Sequence, residues 1–210
     1  MAPSSDVSAL TLNRLSLYLR CLRDLEAEGV RTVSSQELAD RFHLSAPQIR
    51  RDLAQFGEFG IRGVGYDVDV LGKRLNRRLG LDRTHPLVIV GMGNLGSALA
   101  QFLNFPDRSF KVVAAVDNDR RKIGRRIGDV ILRDSSELGK VVDESGAEIG
   151  VLAVPAKAAQ MNYEALVEAG VKAVLNFAPV RLDRISGIPT KTVDLRVHLE
   201  ELGFLLQQES

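Results

Sequence analysis

The stretch from Pro86 to Ala100 constrains this chain more than any other. Leu87 to Val90 is a short, continuous apolar run, which reads as a strand buried on both faces. It leads straight into Gly91-x-Gly93-x-x-Gly96 and then into a helix-forming run from Ser97 to Leu103. Gly91 permits a tight turn, Gly93 lets the backbone approach a diphosphate, and Gly96 lets the helix pack close to the strand. The helix N-terminus adds free N–H groups and the positive end of its dipole. Three glycines alone are a weak signal, and their context strengthens it. A second apolar run, Phe110 to Val116, ends in Asp117, 21 residues beyond Gly96. An acid there accepts hydrogen bonds from an adenosine ribose and repels a 2′-phosphate. The order of strand, turn, helix, strand and acid predicts a dinucleotide site built on Gly91, Met92, Gly93, Asn94, Leu95, Gly96 and Asp117. Asp119 follows in a turn, either as a second ribose contact or as a solvated loop acid.

Strands and helices continue to alternate. Ser135 to Glu144 reads as a helix, Glu148 to Val154 as a buried strand closed by Pro155, Ala156 to Ala169 as a helix stopped by Gly170, and Val171 to Phe177 as the next strand. Such alternation defines a doubly wound parallel sheet, whose ligands lie beyond the carboxyl ends of the strands. Val154, Pro155, Asn176, Ala178 and Pro179 are therefore expected at the crevice. Asn176 suits either a carboxamide contact or the turn at the strand end.

The first 80 residues are organised differently. Leu12, Leu15, Leu19, Leu22 and Leu25 recur at helical steps up to Gly29, a natural C-cap. Ser34-x-x-Glu37 and Ser45-x-x-Gln48 are two capping boxes, opening helices at Ser35 to Phe42 and, with Pro47 in its first turn, from Ser45 on. Two short helices across a tight turn form a helix-turn-helix. The second turns Gln48, Arg50, Arg51 and Gln55 outward, side chains suited to base edges and phosphates in a major groove. Glycines 60, 63 and 65 with the alternating Tyr66, Val68 and Val70 read as a β-hairpin wing carrying Arg62 near its tip, where it can enter a narrow minor groove. In this order the elements make a winged helix that binds DNA. Net charge over the whole chain is only +1, so basic surface must be local. From Arg41 to Arg78, eight Lys or Arg stand against four acids. Gly72 to Gly80 reads as a short basic helix, and the unit ends near Gly80.

Hydrophobic residues make up 45% of the chain and charged ones 26%, as in a soluble globular protein. The lone Cys21 sits in an apolar helical pattern and reads as a core residue of a protein in a reducing compartment. No apolar run approaches the roughly 18 residues of a membrane span, so a cytoplasmic location is expected. Near the end, Asp194 is placed to cap a helix from Leu195 to Gln207, with Leu195, Leu199, Leu202 and Leu206 in one stripe. That stripe can pack on its own domain or on a second subunit.

The ordered set resembles the Rex family of redox-sensing transcriptional repressors over nearly the whole chain. The carrying residues are Ser34-Ser35, Ile49 to Leu53 with Phe56-Gly57, Arg62 to Tyr66, Gly91 to Gly96, Asn176 to Pro179 and Val193 to Leu195. The resemblance implies a homodimer with exchanged C-terminal helices, an A·T-rich inverted-repeat operator in double-stranded DNA, and NAD(H) as a regulatory ligand. It implies that NADH closes the dimer and releases DNA, while NAD⁺ competes without that effect. Carried over by position, Arg20 and Asp194 belong to a switch on the nicotinamide side. Eleven residues after Gly91 the family usually has a Tyr whose hydroxyl takes part in that switch, and here the residue is Phe102. Phenylalanine keeps the ring but has no hydrogen-bonding group, which leaves Arg20 and Asp194 to carry the polar part.

The expected architecture is α/β: a winged helix over 1–80 (helix-turn-helix about 18–57), a Rossmann NAD(H) domain over 81–190, and a dimerisation helix over 191–210. The rival reading is an NAD-dependent oxidoreductase with an accessory N-terminal domain. Its acid–base group would have to come from His43, in the turn of the helix-turn-helix, His85, before the first strand, or His198, on the last helix. No substrate domain follows the alternating unit, so neither catalytic nor metal residues are expected. A third reading keeps the repressor and exchanges the ligand for coenzyme A or another nucleotide, against which Asp117 argues.

Overall fold

The computed structural model describes residues 8–42, 44–57, 60–61, 63–103 and 109–208. The chain divides into two compact units, one ending at Arg83 and one beginning at Thr84.

In the first unit, α1 (Ala9–Ala27) starts at Ser8, whose hydroxyl accepts the Thr11 N–H. Leu15, Tyr18, Leu19, Leu22 and Leu25 are buried on its inner face together with Cys21. Leu12, expected in that stripe, is 43% exposed: it falls on the rim of a stripe centred on Leu15 and Leu22. β1 (Thr32–Val33) follows, then α2 (Ser35–Phe42) and α3 (Ala46–Ala54). The box before α2 is reciprocal, with Ser34 N–H donating to Glu37 at 2.6 Å and Glu37 N–H to Ser34 Oγ at 3.1 Å. β2 (Gly60–Ile61) and β3 (Gly65–Asp67) form the wing hairpin, and β3 also pairs with β1, giving the order β1-β3-β2.

The strand expected to run through Val70 stops at Asp67. The Asp67 carboxylate accepts the Val70 N–H at 2.9 Å and so caps α4 (Val68–Arg78). A good N-cap ends the hairpin there, and Val68, Leu71 and Leu75 become the buried face of a helix. The basic helix expected from Gly72 thus begins four residues earlier. Arg62 and His43 lie outside the described residues.

The second unit contains β4 (His85–Val90), α5 (Asn94–Phe102), β5 (Phe110–Asp117), β6 (Arg126–Ile127), β7 (Val130–Asp134), a 3₁₀ turn at Ser135–Glu137 leading into α6 (Leu138–Ser145), β8 (Ile149–Leu152), α7 (Ala156–Glu168), β9 (Ala173–Asn176), β10 (Thr190–Thr192) and α8 (Leu195–Gln208). The sheet order is β10-β9-β8-β4-β5-β7-β6, parallel throughout except for the β6–β7 hairpin at one edge. Chain order reverses at β4, which lies between β5 and β8, and this is the point where such sheets open a crevice. Apolar layers fill both faces, with Val88, Val90 and Leu152 on one side and Leu87, Ile89 and Val151 on the other. The short strands β6, β7 and β10 escape a reading by apolar runs, because each is brief and carries polar or charged residues. α8 packs differently from the other helices: every one of its residues is exposed.

Candidate nucleotide cleft and nucleic-acid face

β4 delivers the chain to the crevice. Gly91 N–H donates to Val116 O at 2.9 Å, and its φ of +94° is open to glycine but strained for other residues. A Cβ on Gly91 would lie 2.5 Å from Ala153 O, and one on Gly96 would overlap the Gly91 carbonyl outright. A Cβ on Gly93 would meet nothing within 4 Å. Two glycines therefore serve backbone packing, while the third faces open space in the cleft. α5 begins at Asn94, inside the motif, so its first N–H groups border that space.

The cleft holds about 380 Å³ and is lined by Gly91, Gly93, Asp117, Asp119, Lys122, Ser135, Val154, Pro155, Met161 and Asn162, among others. Asp117, buried at the end of β5, accepts the Met92 N–H at 2.6 Å through Oδ2 and the Asp119 N–H at 2.8 Å through Oδ1. Lys122 Nζ lies 3.4 Å from the same Oδ2, 3.2 Å from Met92 O and 3.9 Å from Asp119 Oδ2. The acid thus ties the glycine loop to the turn after β5. Arg121 grips Asp119 with Nε and Nη2, each at 2.9 Å. Those side-chain bonds, with the Arg121 N–H, hold the Asp119 carboxyl down to about 2. Lys122, Ser135, Met161 and Asn162 were not singled out from sequence: Ser135 follows β7, a strand that is itself hard to read, Met161 and Asn162 stand on α7 with no motif to mark which of its residues face the cleft, and Lys122 stands in a run of basic residues typical of a solvated loop.

Several expected contacts fall elsewhere. Asn176 is fully buried; its amide donates to Ala178 O and Val180 O, both at 3.2 Å, and accepts the Ala178 N–H at 2.9 Å. The carboxamide contact is corrected: the side chain is consumed by the turn it stabilises. Ala178 is buried in the core, and Pro179 borders a separate depression with Val180, Arg184 and Asp194. Met92 buries its side chain in the sheet core and offers only its backbone, while Asn94 and Leu95 are exposed on the first turn of α5. Arg20 is exposed on α1, Phe102 is 70% exposed at the end of α5, and Asp194 accepts the Arg196 N–H at 3.0 Å at the start of α8.

In the first unit, α3 buries Ile49 and Leu53 and exposes Arg50, Arg51 and Gln55. Arg50 Nη1 donates to Ser35 Oγ at 2.8 Å. Among the described residues Arg51 has no hydrogen-bond or ion-pair partner. Gln48 is corrected: it is half-buried and its amide donates to Asp52 Oδ1 at 2.8 Å rather than turning outward. Asp52 is the residue that sequence reasoning passed over. It lies three residues after Ile49 on the buried side of α3, 1% exposed, where it meets Arg14, Tyr18 and Gln48. Burial pushes its carboxyl up, but the bonds from these three side chains outweigh burial and leave it below the usual range. Burial and the bond to Asp52 push Tyr18 upward. Between α3 and the wing runs a groove of about 940 Å³ bordered by Ser35, Arg50, Gly57, Gly60, Gly63 and Tyr66.

Among the described residues, no helix is long and apolar enough to cross a membrane, and no three His, Cys, Asp or Glu side chains gather as a metal site.

Two family models match this chain: residues 6–54 match "Putative DNA-binding protein N-terminus" and residues 82–180 match "CoA binding domain". A relative from Desulforamulus reducens, the redox-sensing transcriptional repressor Rex, is 47% identical over 196 residues, 93% of each chain. The crystal structure of RSP in complex with β-NAD⁺ and operator DNA is 35% identical, with a TM-score of 0.93 and coverage of 98% of this chain and 95% of that one. RSP in complex with β-NADH is 33% identical, with a TM-score of 0.88 and coverage of 98% and 97%.

Proposed function

The chain belongs to the Rex family of redox-sensing transcriptional repressors, and on that premise we propose that it binds operator DNA through its first unit and NADH or NAD⁺ in the glycine-loop cleft. It represses transcription and senses the NADH/NAD⁺ ratio. The likeness over the whole chain to a repressor solved with both β-NAD⁺ and operator DNA carries this reading.

The cleft fits the dinucleotide on its own geometry. Gly93 leaves room for a diphosphate, the N-terminus of α5 faces that space, and Asp117 stands where a ribose hydroxyl donates. Carboxylates at 117 and 119 favour hydroxyls there over the phosphorylated ribose of coenzyme A. The bound group supplies one difference, a neutral reduced ring against a cationic oxidised one, and an apolar pocket prefers the neutral ring because an unpaired buried charge is costly. The dinucleotide's part is regulatory. His85 sits beside Glu148 and stacks on Phe110, His198 is exposed on α8, and neither lines the cleft. The compartment that suits such a regulator is the cytoplasm.

α8 supports a homodimer. Leu195, Leu199, Leu202, Phe204 and Leu206 are all more than half exposed on one 14-residue helix, an apolar surface that calls for a second copy. Two recognition helices then have to enter successive major grooves of an A·T-rich inverted repeat, roughly 34 Å apart. NADH releases DNA to the extent that it binds the closed dimer better than the DNA-bound one. Arg20, Phe102 and Asp194 are the proposed switch residues.

The test is fluorescence anisotropy of a labelled A·T-rich inverted repeat at fixed salt, titrated with NADH and separately with NAD⁺. Release by NADH alone supports the reading. Binding that neither nucleotide alters removes the sensing role, and failure to bind such repeats removes the repressor role.

A further inference from the structure

The acid that marks the ribose end of the cleft is not an isolated negative charge. Asp117 Oδ2 faces the Lys122 ammonium at 3.4 Å, and Asp119 is clamped by Arg121 through two bonds of 2.9 Å. Two carboxylates are thus matched by two cations. The two cations are held differently. Arg121 is 88% exposed and bound wholly to Asp119, whereas the Lys122 side chain is 32% exposed and lines the cleft itself. Its ammonium also donates to the Met92 carbonyl in the glycine loop. A lysine ammonium has three donors, and here they are directed to Asp117, to Met92 O and towards Asp119.

From this arrangement we infer that Lys122 is a specificity-determining residue that sets how strongly the cleft rejects a 2′-phosphorylated adenosine ribose. The inference rests on the dinucleotide reading of the cleft. Asp117 provides the acceptor that a ribose hydroxyl needs, and Lys122 offsets the field that would otherwise repel a phosphate. The ammonium lies against the Asp117 carboxylate. When an amide replaces that carboxylate, Lys122 becomes a half-buried cation beside the 2′ position, the counter-ion that a phosphate requires.

Four proteins test this: the parent, Lys122→Met, Asp117→Asn and the double variant. Each is titrated with NADH and NADPH, and with ADP-ribose and its 2′-phosphate as probes that lack the nicotinamide ring. Lys122→Met should widen the preference for the unphosphorylated ligands about five- to tenfold, the order expected for one unit charge at this range in a partly screened site. Asp117→Asn, nearly isosteric, should narrow the preference, and adding Lys122→Met should abolish that gain. The inference is overturned if Lys122→Met leaves the preference unchanged, or if the gain of Asp117→Asn survives without the lysine. Failure of the parent to bind NADH and ADP-ribose would instead overturn the dinucleotide reading, so the two failures are distinct.

Discussion

Arg14 on α1 holds Asp52 on α3 by two parallel hydrogen bonds, Nε to Oδ2 at 2.6 Å and Nη2 to Oδ1 at 2.8 Å. Tyr18 OH at 2.8 Å and the Gln48 amide at 2.8 Å complete the shell around a carboxylate that is 1% exposed. The first helix and the proposed recognition helix are thus pinned to each other by a buried charge. Planar, bidentate pairing fixes angle as well as distance, so the roll of α3, and with it the aim of Arg50 and Arg51, depends on this contact.

Asp52→Asn should destabilise the first unit by about 3 kcal/mol, the scale for breaking a buried pair from one side. Hydrogen exchange in α1 and α3 reads this unit separately from the second. The acid limb carries a further signature. The carboxyl of Asp52 lies lower in the fold than its unfolded value of about 3.9. Its stabilisation is therefore complete above that pH and is lost as pH falls through the folded value below it. The parent should lose protection in α1 and α3 below about pH 4, and Asp52→Asn should show a flatter acid limb. Equal acid loss in both would remove Asp52 from the account.

Arg51→Ala should weaken operator binding by about ten- to a hundredfold at fixed salt, as for loss of one groove or phosphate contact by an unpartnered guanidinium. Gln48→Ala should act mainly on the stability of the unit, because its amide is committed to Asp52. Parent-like DNA affinity for Arg51→Ala would strike that residue from the contact surface.

Gly93→Ala and Gly96→Ala should separate binding from folding. A methyl at 93 meets no protein atom within 4 Å and sits at an ordinary φ of −74°. The melting temperature should hold while NADH affinity falls, because the methyl enters the space proposed for the diphosphate. A methyl at 96 overlaps the Gly91 carbonyl and should destabilise the whole second unit. Unchanged NADH affinity in Gly93→Ala would move the diphosphate elsewhere.

Leu199→Asp with Leu206→Asp should convert a dimer to monomers in sedimentation experiments and reduce affinity for a two-site operator. Both leucines are more than two-thirds exposed in the single chain, at 67% and 68%, so neither change removes packing within it. A dimer that survives both charges would relieve α8 of the role proposed for it.

Phe102→Tyr should strengthen the coupling between NADH and DNA release by supplying the hydroxyl that the ring lacks. The side chain is 70% exposed, so the added oxygen costs no burial. The check is the NADH concentration that releases half the DNA; an unchanged value would make position 102 indifferent to the switch.

Local chemistry left clear marks in the sequence. The reciprocal bonds of Ser34 and Glu37, the left-handed turn at Gly91 and the close approach at Gly96 are each settled by residues a few positions apart. So are the glycine loop and the apolar strands around it, because a strand buried on both faces must be apolar throughout. What sequence could not decide was which polar groups face each other across the chain. Asp52 meets Arg14 at a separation of 38 residues, and Lys122 reaches Met92 across 30. Gln48 and Asn176 have side chains equally fit for a ligand and for a buried partner, and only packing assigned both to partners. The short strands β6, β7 and β10 follow the same rule, since their place comes from neighbours they pair with rather than from their own residues. A short element or a polar side chain has several local solutions of similar energy, and the tertiary structure selects the one that leaves no buried charge or donor unpaired.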